Sequence, residues 1–192
     1  MSADNETKGA LGGAFWIDLF GPAVAINPPG ASSDPGRDTA TGWLEFGTTG
    51  TDLIYQSYQL PHGYIEGQLL GFEPHLHWHK KTSASGTVAW SMRYRWTNPG
   101  SVWSGWSSPI AGIAMGLAHD DTAEKSAVTT FGYLSLPDAK ISALILCEIS
   151  RLGDSDSYAA DAVLTDADAH VLVNQVGSVQ TYTKYHHSLQ YQ

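Results

Sequence analysis

The sequence predicts an all-β chain: an antiparallel two-sheet β-sandwich of jelly-roll type, preceded by an extended N-terminal arm. Three observations carry that expectation. Apolar and polar residues alternate over short runs, turn signals separate those runs, and no stretch shows the apolar period of an amphipathic helix.

The clearest alternation lies in residues 71–96, GFEPHLHWHKKTSASGTVAWSMRYRW. Successive strand side chains point to opposite faces, so His75, His77 and His79 share one face while Leu76 and Trp78 share the other. After a polar turn at residues 82–86 the pattern resumes. Val88, Trp90, Met92, Tyr94 and Trp96 fall on one face, and Ala89, Ser91, Arg93 and Arg95 on the other. Read locally, the two runs form the central hairpin of a sheet, with Lys80 and Lys81 beside Arg93 and Arg95.

Residues 1–42 form the expected arm and residues 43–192 the sandwich domain. Within the arm only residues 14–20, AFWIDLF, have strand character. Around them stand Gly21-Pro22, Asn27-Pro28-Pro29-Gly30 and Asp34-Pro35-Gly36, and proline cannot continue a sheet ladder. Phe15, Trp16 and Phe20 are costly to leave in water, so the arm is expected to lie across a neighbouring surface. Those three aromatics and the turn of Asn27, Pro28, Pro29 and Gly30 are its expected contacts. Further strands are expected at residues 42–46, 53–60, 103–106 with 110–117, 127–136, 160–173 and 177–185. Residues 141–150, ISALILCEIS, form a nearly continuous apolar run that suits an internal strand, a buried helix being the alternative by pattern.

Composition narrows the function. A chain of 192 residues can bury one sizeable core, and only 15% of it is charged, below the usual quarter. Seven tryptophans suit a core or an interface, where aromatic rings bury much area. The net charge of −9 leaves no basic stripe for phosphate contacts, so no nucleic-acid partner is expected. Cys147, alone of its type, reads as a buried small hydrophobe. Neither a signal peptide nor an apolar window of ~18 residues is present, so no membrane partner is expected and the chain is expected to be soluble.

Candidate chemistry starts from the histidines. His75 and His77 on one strand face stand about 7 Å apart at Cα, within reach of a single metal ion. A third ligand would come from His62, Glu66, Glu73, His119 or His170. A cupin site opens with such a pair, but Lys80 and Lys81 follow where a cupin needs a glutamate. Hydrogen-bonded structural histidines are the competing reading. The acidic loop at residues 153–161 has oxygen side chains at alternate positions but lacks the glycine and closing glutamate of a calcium loop, which leaves a solvated turn. Asp166, Asp168 and His170 alternate with metal-ligand residue types and no partner motif at a diagnostic spacing. Tyr64, Trp103 and Trp106 would stack on sugars if exposed, with core packing as the competing role. No nucleophile elbow, P-loop, dinucleotide fingerprint or H-E-x-x-H motif occurs, so neither enzymatic activity nor a cofactor is expected.

A series of short motifs runs through most of the chain. It comprises NPPGASSDP at residues 27–35, QLPH at 59–62 with Glu66-Gly67, EPHLHW at 73–78, VAW at 88–90, SRLGD at 150–154, Tyr158 with Asp161-Ala162, His170, and Gly177-Ser178 with Lys184. In order and spacing this series resembles a group of tailed-bacteriophage virion structural proteins. The resemblance implies a non-enzymatic capsid decoration (cement) protein, a homotrimer made in the host cytoplasm and seated on the outer capsid surface. There it would bridge subunits of the major capsid protein and tie neighbours together through its arm, as multivalent attachment favours. The alternative within that group is a tail or head-fibre component with a receptor- or glycan-binding role. A cupin-like metal-binding protein is a third reading.

Overall fold

The computed structural model describes residues 13–49, 52–67, 71–115 and 121–174. The strand expected at residues 177–185 and the candidate ligand His119 lie outside them. The described strands are β1 (Phe15–Leu19), β2 (Gly36–Arg37), β3 (Leu44–Phe46), β4 (Leu53–Gln59), β5 (Phe72–Lys80), β6 (Trp90–Thr97), β7 (Ile110–Ala111), β8 (Ile113–Met115), β9 (Ala127–Thr130), β10 (Leu144–Arg151) and β11 (Ala162–Val173). Among the described residues the helical structure is one 3-10 turn at Ala23–Ala25, and no helix is long and apolar enough to cross a membrane.

Two antiparallel sheets pack face to face in a jelly-roll-like sandwich. The larger runs β2-β3-β11-β5-β9-β8, with β1 also paired to β11, and the smaller runs β4-β10-β6-β7. Alternation decides which side chains meet between them. Leu76 and Trp78 from β5, Ala167, Ala169 and Val171 from β11, and Trp90, Met92, Ile145, Cys147 and Ile149 from the smaller sheet are all buried. Three edge-to-face ring pairs lie in this interior: Phe46 on Trp90, Tyr58 on Phe72 and Trp78 on Trp90, at 4.9, 5.5 and 6.0 Å between centroids. Burial pushes the Cys147 thiol up to about 12, so it is an inert core residue. Residues 144–151 are a strand with every second side chain buried, which removes the helix alternative.

The expected central hairpin does not form. β5 pairs with β11 and β9, while β6 pairs with β10 and β7 in the other sheet. Lys80 and Lys81 are therefore not neighbours of Arg93 and Arg95 across a hairpin. The connection between the strands crosses the end of the sandwich and is held there by the acidic loop. Ser157 and Tyr158 donate backbone N–H groups to the Thr87 carbonyl, Leu152 donates to that of Ala89, and the buried Lys80 Nζ reaches the Gly86 carbonyl at 2.6 Å. Gly86 adopts φ 131° with the backbone of Ser157 and Tyr158 against it, leaving no space for a side chain. Residues 103–106 are not a strand either. They follow β6 at a wider spacing, with the Ser104 and Ser107 hydroxyls accepting from the Trp96 and Tyr94 backbone N–H groups.

Residues 13–42 run along the sandwich. β1 lies antiparallel on the end of β11, Phe15 opposite Val173, and Ala23 and Ile26 enter the core. Arg37 gathers the carbonyls of Ile26 and Gly42 and so closes the returning loop. Phe15, Trp16, Phe20, Asn27, Pro29 and Gly30 are at the surface, with Pro28 half-buried.

The charged residue that ties the sheets together is Arg151, at the end of the inward row Ile145, Cys147, Ile149 and wholly buried. All five guanidinium N–H groups have acceptors. Nε and one Nη2 hydrogen go to the Asp156 carboxylate at 2.8 and 3.1 Å, and Nη1 serves the carbonyls of Phe46 and Ala160 at 2.8 and 2.7 Å. The remaining Nη2 hydrogen bonds the Tyr158 carbonyl at 2.7 Å. Removing one partner of such a buried pair strands the other charge. Arg151→Ala is expected to cost about 3–5 kcal/mol in urea unfolding, and Arg93→Ala, at a partly exposed pair with Glu148, less. Equal small losses would show that the buried network does not hold the sandwich end.

Candidate functional site

The His75–His77 pair and the Asp166, Asp168 and His170 trio singled out in the sequence meet on the outer face of the larger sheet, with Glu73 completing a triad on β5. Antiparallel pairing of β5 with β11 sets Glu73 opposite His170, His75 opposite Asp168 and His77 opposite Asp166. A β-bulge makes this possible. Leu164 faces the core opposite Trp78, and strict alternation from there would send Asp166, Asp168 and His170 inward as well. The register slips between Leu164 and Asp166, so that Thr165 is the extra residue and the phase of the strand reverses. Ala167, Ala169 and Val171 then fill the core. The Thr165 hydroxyl donates to the His77 carbonyl at 3.0 Å.

β5 tolerates Pro74 at the same level because its carbonyl accepts from Phe131, beyond the last paired residue of β9. The missing proline N–H therefore falls where that ladder has already ended.

Around the paired triads lies an open cleft of about 700 Å³, lined by Asp18 and Phe20 beyond the β11 edge and by Val128 and Thr130 from β9. The His75 ring stands 4.4 Å from that of His170 and 5.1 Å from that of His77. His77 Nε2 lies 3.7 Å from Asp168 Oδ2, and His170 bridges Asp18 at 3.2 Å and Glu73 at 3.7 Å. Thr130 donates its hydroxyl to Glu73. Asp168 is nearly buried and accepts the Gly21 N–H through Oδ1. Gly21 is packed against the Ala167 carbonyl, where a side chain would not fit. Burial, with His170 and His77 alongside, holds the His75 imidazole below its ordinary range, so it is neutral at physiological pH. Burial and the neighbouring Asp168 raise the Asp166 carboxyl.

Of the other candidate ligands, Glu73 and His170 line this cleft, whereas His62 meets Ser142 and Glu66 accepts from the Ile141 backbone beside Lys140. The acidic loop is not the solvated turn expected: the Asp156 side chain is buried and committed to Arg151, and Tyr158 is buried. Tyr64 is 1% exposed and cannot stack on a sugar, because its backbone bridges to Val173 and its ring packs on Gly71. Trp103 and Trp106 lie with the smaller sheet, with Arg95 over both rings and Arg93 over Trp106. The sequence signalled neither Asp18 nor Phe20 as cleft residues, since their place follows from β1 joining β11.

No protein-family model matches the chain, and no curated protein matches it. Among solved structures it is similar to dimeric latent PorU from Porphyromonas gingivalis, at 11% identity over 90% of this chain with a TM-score of 0.41. It is also similar to the CBM22-1-GH10 modules of Clostridium thermocellum xylanase 10B complexed with xylohexaose, at 13% identity over 86% of this chain and a TM-score of 0.39. The chain spans 14% and 27% of the lengths of those two proteins. A third is Caldicellulosiruptor saccharolyticus CBM27-1 in complex with mannohexaose, at 11% identity over 79% of this chain and 96% of that one, with a TM-score of 0.35. Likenesses this distant leave the cleft to be understood from its own residues.

Proposed function

We propose that this chain is a non-catalytic β-sandwich binding module whose cleft on the larger sheet takes a neutral glycan. The observation that carries the reading is the convergence of carboxylates and imidazoles beside the 75%-exposed ring of Phe20 in one open cleft. Sugar hydroxyls donate to carboxylate oxygens and exchange hydrogen bonds with imidazole nitrogens, and the apolar face of a pyranose packs on an aromatic ring. The carboxylates of Asp18, Glu73, Asp166 and Asp168, within a chain of net charge −9, disfavour anionic ligands. Affinity electrophoresis through gels holding xylan, mannan, galactan or glucan tests this. At least one polymer is expected to retard the full chain, and Phe20→Ala and Asp18→Asn to abolish most of the retardation. Unretarded migration through all four would remove the reading.

A second reading, the capsid decoration protein that the sequence resemblance implies, is favoured by a separate observation. Phe15 and Trp16 are exposed on the edge strand β1, and the Trp16 ring lies 5.8 Å from that of the exposed Tyr133. Such a patch suits burial against a neighbouring subunit, either another copy in a homotrimer or the major capsid protein. The copy number per purified virion decides its standing. A ratio near that of the major capsid protein supports decoration, a small fraction of it supports a tail or fibre position for the glycan-binding module, and absence ends the virion reading.

A further inference from the structure

The floor of the cleft is built like the protein half of a transition-metal site. One ligand atom each from His75, His77 and Asp168 lies within 4.8 Å of the others. Donors around a tetrahedral zinc with bonds of about 2.1 Å sit roughly 3.4 Å apart. The His77–Asp168 separation of 3.7 Å is already close to that, and rotamer adjustment by about an ångström brings in His75.

Two further features belong to a ligand site more than to a hydrogen-bonded surface. His75 is 93% buried, yet its Nδ1 has no hydrogen-bond partner, an expensive arrangement for a polar atom. Asp168 is buried to a similar degree, and no lysine or arginine forms a salt bridge with it among the described residues. A buried carboxylate whose ion-pair partner is an imidazole is under-compensated, and a bound dication supplies the missing charge. Asp166, Glu73 and Asp18 around the cleft add to the negative field.

We propose that His75, His77 and Asp168 bind one divalent transition-metal ion, zinc by the chemistry of the set. Two imidazoles and one carboxylate are too nitrogen-rich for calcium or magnesium, which take oxygen shells. Three protein ligands leave a fourth position facing the open cleft, available to water or to a ligand hydroxyl. The bulge at Thr165 is what brings Asp168 to the histidine pair, so the site exists only in this register. His170, stacked on His75 and bridged to Asp18 and Glu73, positions the ring it packs against.

The test is calorimetric titration of the chelator-stripped full chain with zinc sulfate, followed by cobalt(II) absorption at the same site. One equivalent is expected to bind and to raise Tm. His77→Ala, at a half-exposed position that the fold does not need, is expected to weaken uptake roughly tenfold or more. His62→Ala, outside the cleft, is expected to bind as the parent does. No saturable uptake by the parent chain, or uptake unchanged in His77→Ala, overturns the proposal. The titration contains no sugar, so its failure leaves the glycan reading intact, and failure of the gels leaves the metal site intact.

Discussion

A buried arginine on the inward face of β10 is the constraint on which the arrangement of this sandwich rests. Arg151 cannot reach water, so its five donors must be met from within. They are met by residues of β3, of the acidic loop and of the approach to β11. One side chain thereby joins the smaller sheet to the larger. Asp156, held by that arginine, also receives the Ala89 N–H, which fixes the path from β5 into β6. The same loop delivers the chain into β11 at Ala162, opposite Lys80 of β5. The cleft lies further along that same pair of strands.

The legible part of the sequence was the local part. Alternation places β5 and β6 and separates one face from the other: Leu76, Trp78, Trp90 and Met92 face the core, and the histidines face out, while a continuous apolar run marks β10. It also identified Cys147 as a core residue. What alternation does not contain is partnership. The turn at residues 82–86 has hairpin chemistry, yet β5 and β6 part into different sheets, and the path between them is held by Arg151 and Asp156, some 70 residues further on. Tyr64 takes the core role that competed with sugar stacking, and its burial depends on a bridge to Val173 across the chain.

The site was half legible. Both sets, His75 with His77 and Asp166 with Asp168 and His170, carry metal-ligand residue types at strand spacing. Their meeting required the register of β5 on β11, and that register depends on a single inserted residue, Thr165, which no pattern in the sequence announces. Bulges of this kind often lie beside functional sites because they re-aim side chains without changing the sheet. Here the reversal puts alanines at 167 and 169 in the core and lifts two carboxylates and an imidazole to the outer face. The two outer faces consequently differ in chemistry. One offers titratable groups in an open cleft, while the other closes its charges into an Arg–Trp and Arg–Glu lattice around Trp103, Trp106 and Glu148.

Both the glycan and the metal readings require that the β5 and β11 triads share one face. Nuclear Overhauser contacts between assigned imidazole ring protons measure this directly in solution. Cross-peaks are expected from His75 to both His77 and His170, whose rings lie 5.1 and 4.4 Å away. Contacts from His170 to inward residues such as Leu76, with none to His75, would mean that β11 is not reframed at Thr165, and the cleft described here would not exist.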